Sequence, residues 1–162
     1  MRQPGSELGV GAAETGPEPL EDGRPIVFYD GECGLCDRMV RTLLQIDRKK
    51  RLRFASLQGE TAQRMVVPVA KREGRELLGG MALLRGEPGS GAGAALEFDS
   101  AAALGCLEEA GGLWRVFGLL RLAPRFFRDA VYRWAAKRRY RWFGKAEVCS
   151  LPKAEDRSRF LP

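Results

Sequence analysis

Ile26-Val27-Phe28-Tyr29-Asp30-Gly31-Glu32-Cys33-Gly34-Leu35-Cys36 is the stretch on which the fold turns. Its first four residues are β-branched or aromatic. They are bounded by Pro25 before and Asp30-Gly31 after, the pattern of a short buried strand. From Cys36 onward, Met39, Val40, Leu43, Leu44 and Ile46 recur mostly at spacings of three and four. That is the period of an amphipathic helix, which ends near Asp47 to Lys50. Leu52 to Leu57 then alternates as a second strand. Strand, helix and strand within about 32 residues make a βαβ unit with parallel strands and a right-handed crossover. The two cysteines stand where the first strand hands over to the helix.

Working outward, Glu60 to Val69 reads as a short helix stopped by Pro68. Met81 to Arg85 and Ala94 to Phe98 flank Gly86, Pro88, Gly89, Gly91 and Gly93, which predicts an antiparallel hairpin with a long tip. Ser100 is placed to N-cap a helix that runs to about Ala110 and is ended by Gly111-Gly112. Leu113 to Lys145 is helical in pattern, with Pro124 separating a shorter helix from a longer one that begins at Arg125. The expected organisation is a leader over 1–24, an α/β domain over 25–112 and a basic, aromatic helical extension over 113–162 packed on the same domain. The leader, Met1 to Pro25, holds five Gly, four Pro and five acids, with no apolar run that could serve as a signal peptide. No stretch reaches the roughly 20 apolar residues of a transmembrane helix, so a cytoplasmic location is expected.

Composition narrows the chemistry. The 162 residues fit one domain and contain no histidine. A Ser-His-Asp triad, a Cys-His pair and His-ligated metals are excluded, leaving sulfur, carboxylates and basic groups. Four cysteines are too few for a disulfide-stapled scaffold but enough for a redox pair or an all-cysteine metal site.

At a helix N-terminus, unsatisfied N–H groups and the helix dipole favour a thiolate, and a cysteine there can titrate in the range of roughly 3.5–7.5. One turn later, a second sulfur can close a readily reduced disulfide. On this reading Cys33, at the helix mouth, attacks, and Cys36, less exposed inside the first turn, resolves. Asp30 has two open readings: a proton acceptor for Cys36, or a side chain that bonds the amides of its own turn. The pair itself also has alternatives. With Cys106 and Cys149 it would make a four-cysteine zinc set, although those two have 42 residues between them rather than forming a close-spaced pair. Inert packing is the other alternative, and it is the preferred reading for Cys106. Cys149, in a polar segment, is expected to be exposed.

The motif Asp30-x-x-Cys33-x-x-Cys36 resembles the one for which the DCC-type thiol-disulfide oxidoreductases are known. The resemblance continues through Leu52 to Gly59 and returns in Arg128 to Arg133 and Arg139 to Gly144, with Cys149 and Pro152 behind. It implies a thioredoxin-like three-layer sandwich, βαβ then ββα, with additional C-terminal helices. It also implies exchange with a protein or small-molecule disulfide, catalytic Cys33, Cys36 and Asp30, and no cofactor or metal. Thioredoxin-like enzymes usually place a cis-proline before the third strand. Here Leu77-Leu78-Gly79-Gly80 stands there, so Gly79 and Gly80 are expected to admit a substrate backbone.

Residues 113 to 145 carry ten basic residues and one acid, a local sum of +9 against +6 for the whole chain. Nine of the 14 aromatics lie there too. The spacing of Phe127, Val131, Trp134 and Ala135 predicts that this face packs on the sheet. The functional alternative is a non-enzymatic binding module in which these helices dock an acidic partner, an anionic membrane surface or nucleic acid.

Overall fold

A computed structural model of the chain describes residues 23–75, 77, 80–86, 95–143 and 154–162. Its first strand, β1 (Ile26–Tyr29), is buried along its whole length. A strand that is apolar on both faces belongs in the middle of a covered sheet. Accordingly β1 pairs in parallel with β2 (Arg53–Ser56), Val27 opposite Phe54, and antiparallel with β3 (Ala82–Arg85), Val27 opposite Leu83. β4 (Ala95–Phe98) pairs antiparallel with β3, and β5 (Phe160–Leu161) pairs in parallel with β2. The order is β4-β3-β1-β2-β5.

Alternate residues of β1 feed two cores. Val27 and Tyr29 pack with Val40, Leu43, Phe54 and Leu83 beneath α1 (Gly34–Ile46) and α4 (Asp99–Ala110). On the other face, Ile26 and Phe28 pack with Ala55, Leu84 and the helices α2 (Glu60–Met65) and α3 (Val67–Arg72). The three layers and the βαβ–ββα order are those of the thioredoxin-like α/β sandwich. α4 stops at Gly111, whose φ of +78° lies in the left-handed region that only glycine adopts at little cost. A 3₁₀ helix, Gly112–Leu122, follows and lies along α4, and α5 (Arg125–Phe143) packs beside α1 and α4.

Several local expectations are corrected. Pro68 opens α3 instead of ending the preceding helix, because in a first turn its missing N–H is not needed and its fixed φ is already helical. Ser100 does not cap α4. The cap position is Phe98, with extended backbone, and the Ser100 hydroxyl donates to the Asp129 carboxylate on α5. The stripe expected to pack on the sheet faces outward: Phe127, Val131 and Trp134 are all at least half exposed. The hairpin tip, 87–94, and the leader up to residue 22 lie outside the described residues.

The C-terminal segment closes the sheet by means absent from the sequence reading. Arg159, 2% exposed, pairs through Nη2 with the buried Asp47 carboxylate and donates from Nε to the Leu52 carbonyl at 3.1 Å. Asp47 also accepts the N–H groups of Arg51 and Leu52, at 3.1 and 2.9 Å. The Phe54 ring stacks on Phe160 at 5.3 Å, with the Arg159 guanidinium at the same distance from its centroid. The two charges at this joint offset each other, with backbone groups bonding Asp47 and Arg159 Nε and the Asp156 carboxylate 3.5 Å from Arg159 Nη1, which is what makes the burial tolerable.

Candidate active site

β1 ends at Tyr29, and the chain turns through Asp30, Gly31 and Glu32 into α1. Cys33 is the residue that caps α1, with extended backbone (φ −100°, ψ 116°). Its N–H donates to the Asp30 carbonyl at 3.2 Å, and its own carbonyl accepts the Asp37 N–H at 3.0 Å. Cys36 lies in the first helical turn. The structure thus brings the two sulfurs together at the mouth of α1, as free thiols joined by a side-chain hydrogen bond.

Both sulfurs are covered, and the expected order of exposure is reversed: Cys33 is 0% exposed and Cys36 6%. The cap geometry turns the Cys33 side chain inward onto the core that holds Val27, Tyr29 and Val40, while Glu32 takes the solvent side. The Cys36 thiol is pushed far above its ordinary value. The hydrogen bond to Cys33 is the largest cause, followed by burial and then by the negative charge of Cys33; a backbone hydrogen bond with Asp30 opposes these, and the Asp30 carboxylate adds to them.

Asp30 is 2% exposed. Its Oδ1 accepts the Glu32 N–H at 3.1 Å, so the turn-bonding role is directly visible. The same oxygen accepts Gln58 Nε2 at 3.0 Å. Gln58 is held in turn by its Oε1, which accepts the Gly31 N–H at 3.2 Å and the Ser56 hydroxyl. A Cβ on Gly31 would stand 3.1 Å from Ser56 Oγ, so glycine is what allows the turn to lie this close to the end of β2. Gln58 was not picked out from the sequence. The signal was present, since parallel pairing of β1 with β2 puts the residues after the two strands side by side.

Asp30 and Gln58 line a cleft of about 360 Å³ with Leu57, Gln63, Val67 and Leu77. Leu57 and Leu77 are shared with a neighbouring hollow of about 190 Å³ that also involves Gly80, Met81 and Phe98. Gly80 therefore lies in a hollow next to the cleft at Asp30, neither of them lined by Cys33 or Cys36, whereas Gly79 lies outside the described residues. Cys106 is buried in α4 with its sulfur 3.9 Å from Met81 Sδ, and burial pushes its thiol up. Cys149 is outside the described residues. Among the described residues, no group of three or more Cys, Asp or Glu side chains is arranged to hold a metal ion. Nor is any helix there long and apolar enough to cross a membrane.

Comparison with known proteins identifies relatives over most of the chain. Residues 27–145 match the DCC1-like thiol-disulfide oxidoreductase family. The uncharacterized protein YuxK of Bacillus subtilis is 34% identical over 137 residues, covering 85% of this chain and 93% of its own length. A chloroplastic DCC family protein of Arabidopsis thaliana is 29% identical over 134 residues, covering 81% of this chain and 72% of its own. No solved structure matches. With the family match spanning the strand, the dithiol turn and the C-terminal helices, the chain belongs to the DCC1-like thiol-disulfide oxidoreductase family.

Proposed function

We propose that the chain exchanges two electrons with a disulfide substrate through Cys33 and Cys36. The observation that carries this reading is the hydrogen-bonded pair of sulfurs at the N-terminus of a 13-residue helix, in which the bond to Cys33 and burial push the Cys36 thiol up. The pair's first proton then comes from Cys33, whose thiolate is stabilised by the Cys36 S–H and the helix N-terminus.

The Cys33 thiolate attacks one sulfur of the substrate disulfide, forming a mixed disulfide and expelling the other substrate sulfur as a thiolate. Cys36 then loses its proton and attacks the Cys33 sulfur. The substrate's second thiolate leaves, and the substrate is reduced as the pair is oxidised. Asp30, close enough to act on Cys36 electrostatically, is the acceptor of that proton. The cleft beside Asp30, continuing past Gly80, is the groove in which a protein or small-molecule disulfide lies. Because Cys33 is covered, the turn at Gly31 to Gly34 has to open for attack. A reducing compartment such as the cytoplasm, read from the sparse cysteines, keeps the resting pair as thiols.

The pH dependence of alkylation by iodoacetamide tests this. In the Cys36→Ser chain, Cys33 reacts with a midpoint between roughly 3.5 and 7.5, while in the Cys33→Ser chain Cys36 stays unreactive at neutral pH. A Cys33 midpoint at the ordinary thiol value of about 8.5 overturns the assignment.

A further inference from the structure

Among the described residues, the large hydrophobic side chains left exposed all lie between Leu113 and Trp142. Leu113 is 86% exposed, Leu122 84% and Phe126 74%. On α5, Phe127, Val131 and Trp134 recur at i, i+4 and i+7 and so form one stripe, extended by Trp142, whose ring meets Trp134 edge-on at 5.2 Å. A patch of this kind on a water-facing surface marks an interaction site.

The charge on the same segment identifies what covers it. Ten basic residues and one acid lie within 113–145, and the Arg138 guanidinium stands 4.5 Å over the Trp134 ring, so cation and apolar surface share a face. A second copy of this surface would bring +9 against +9. Nucleic acid would satisfy the arginines and stack on the rings, yet Leu113, Leu119, Leu122 and Val131 would find no hydrocarbon to enter. A bilayer with anionic headgroups meets both halves of the pattern, since acyl chains accept the aliphatic and aromatic groups and headgroups pair with the arginines. No described helix is apolar enough to span such a bilayer, so contact stays at the interface.

We propose that the 3₁₀ helix Gly112–Leu122 and α5 form a peripheral docking surface for membranes rich in anionic phospholipid. α5 lies beside α1, so docking carries the dithiol helix close to the bilayer. The surface does not depend on thiol chemistry, and its test is separable from that of the exchange reaction.

The test is co-sedimentation of the full chain with vesicles of phosphatidylcholine alone or mixed with phosphatidylglycerol, read together with tryptophan emission. Expected are binding and a blue shift with the anionic vesicles only, weakening as salt is added, and unchanged in Cys33→Ser. Arg141→Ala weakens binding about fivefold, and Val131→Asp abolishes the blue shift while circular dichroism stays that of the parent chain. Equal binding to neutral and anionic vesicles, or none to either, overturns the proposal. A dimer in sedimentation equilibrium that hides the tryptophans from an aqueous quencher assigns the stripe to a second copy and overturns it too. So does RNA that binds while anionic vesicles leave the emission unshifted.

Discussion

Phe54 in β2 and Phe126 at the start of α5 are the same side chain in opposite surroundings. Phe54 is fully buried in the core beneath α1 and α4, against the Phe160 ring, and Phe126 is 74% exposed. The arginines divide in the same way. Arg159 is buried against Asp47, whereas Arg138 covers an exposed indole. Around the sheet, each apolar group meets another layer. In the C-terminal helices, groups of the same kind sit on elements that pack by one side only. The difference shows that apolar content and period set the shape of a face, while the presence of a facing surface decides whether it is buried.

That comparison can be broken by mutation. Phe54→Ala should cost about 3–5 kcal/mol, read as a lower urea midpoint at unchanged slope. A cost under 1 kcal/mol would mean that the core does not close around β2. Asp47→Ala should cost a similar amount, about 3–5 kcal/mol, because it leaves the Arg159 charge buried and removes the acceptor for two backbone N–H groups. A near-neutral result would detach the C-terminal segment from the sheet.

A smaller effect follows from pH. The bond to Cys33 and burial at Cys36, and burial at Cys106, hold both thiols above the ordinary value of about 8.5. Below that value, folded and unfolded chains both keep these protons and the contribution is complete. Above it, the unfolded chain alone loses them, so stability falls as pH rises, by up to about 1.4 kcal/mol per pH unit for each thiol. Cys106→Ala should make the fall shallower in a series of melting temperatures at alkaline pH. An unchanged slope would show that this thiol is not held protonated. Smallest of all, Phe126→Ala should stay within about 0.5 kcal/mol of the parent chain. A loss like that of Phe54→Ala would show that Phe126 is packed.

What was legible followed the same division. β1, α1 and the placement of Cys33 and Cys36 between them are local patterns, and the pairings of β1 with β2 and of β3 with β4 follow from a βαβ unit and a hairpin, whereas the pairing of β3 with β1 is not local. β5 has two residues and therefore no period to read. Its anchor, Arg159 on Asp47, joins residues 112 apart, and Asp47 at the head of Arg48-Lys49-Lys50 reads from sequence as a solvated helix end. The orientation of Phe127, Val131 and Trp134 was misread because spacing defines a stripe without saying which way it points. Ser100 was misread because its hydroxyl meets an acid 29 residues away in place of its own helix. At the dithiol, spacing put the sulfurs one turn apart, whereas their burial depends on how the cap residue turns into the core.

The central claim is that Cys33 and Cys36 form a working redox pair. Equilibrating the full chain in glutathione buffers of graded potential, trapping the thiols and mapping them by mass spectrometry tests it most directly. A single reversible two-electron transition that links Cys33 to Cys36 and disappears in Cys33→Ser is the predicted result. Thiols that stay reduced across the whole range, or an oxidation that pairs other cysteines, would contradict it.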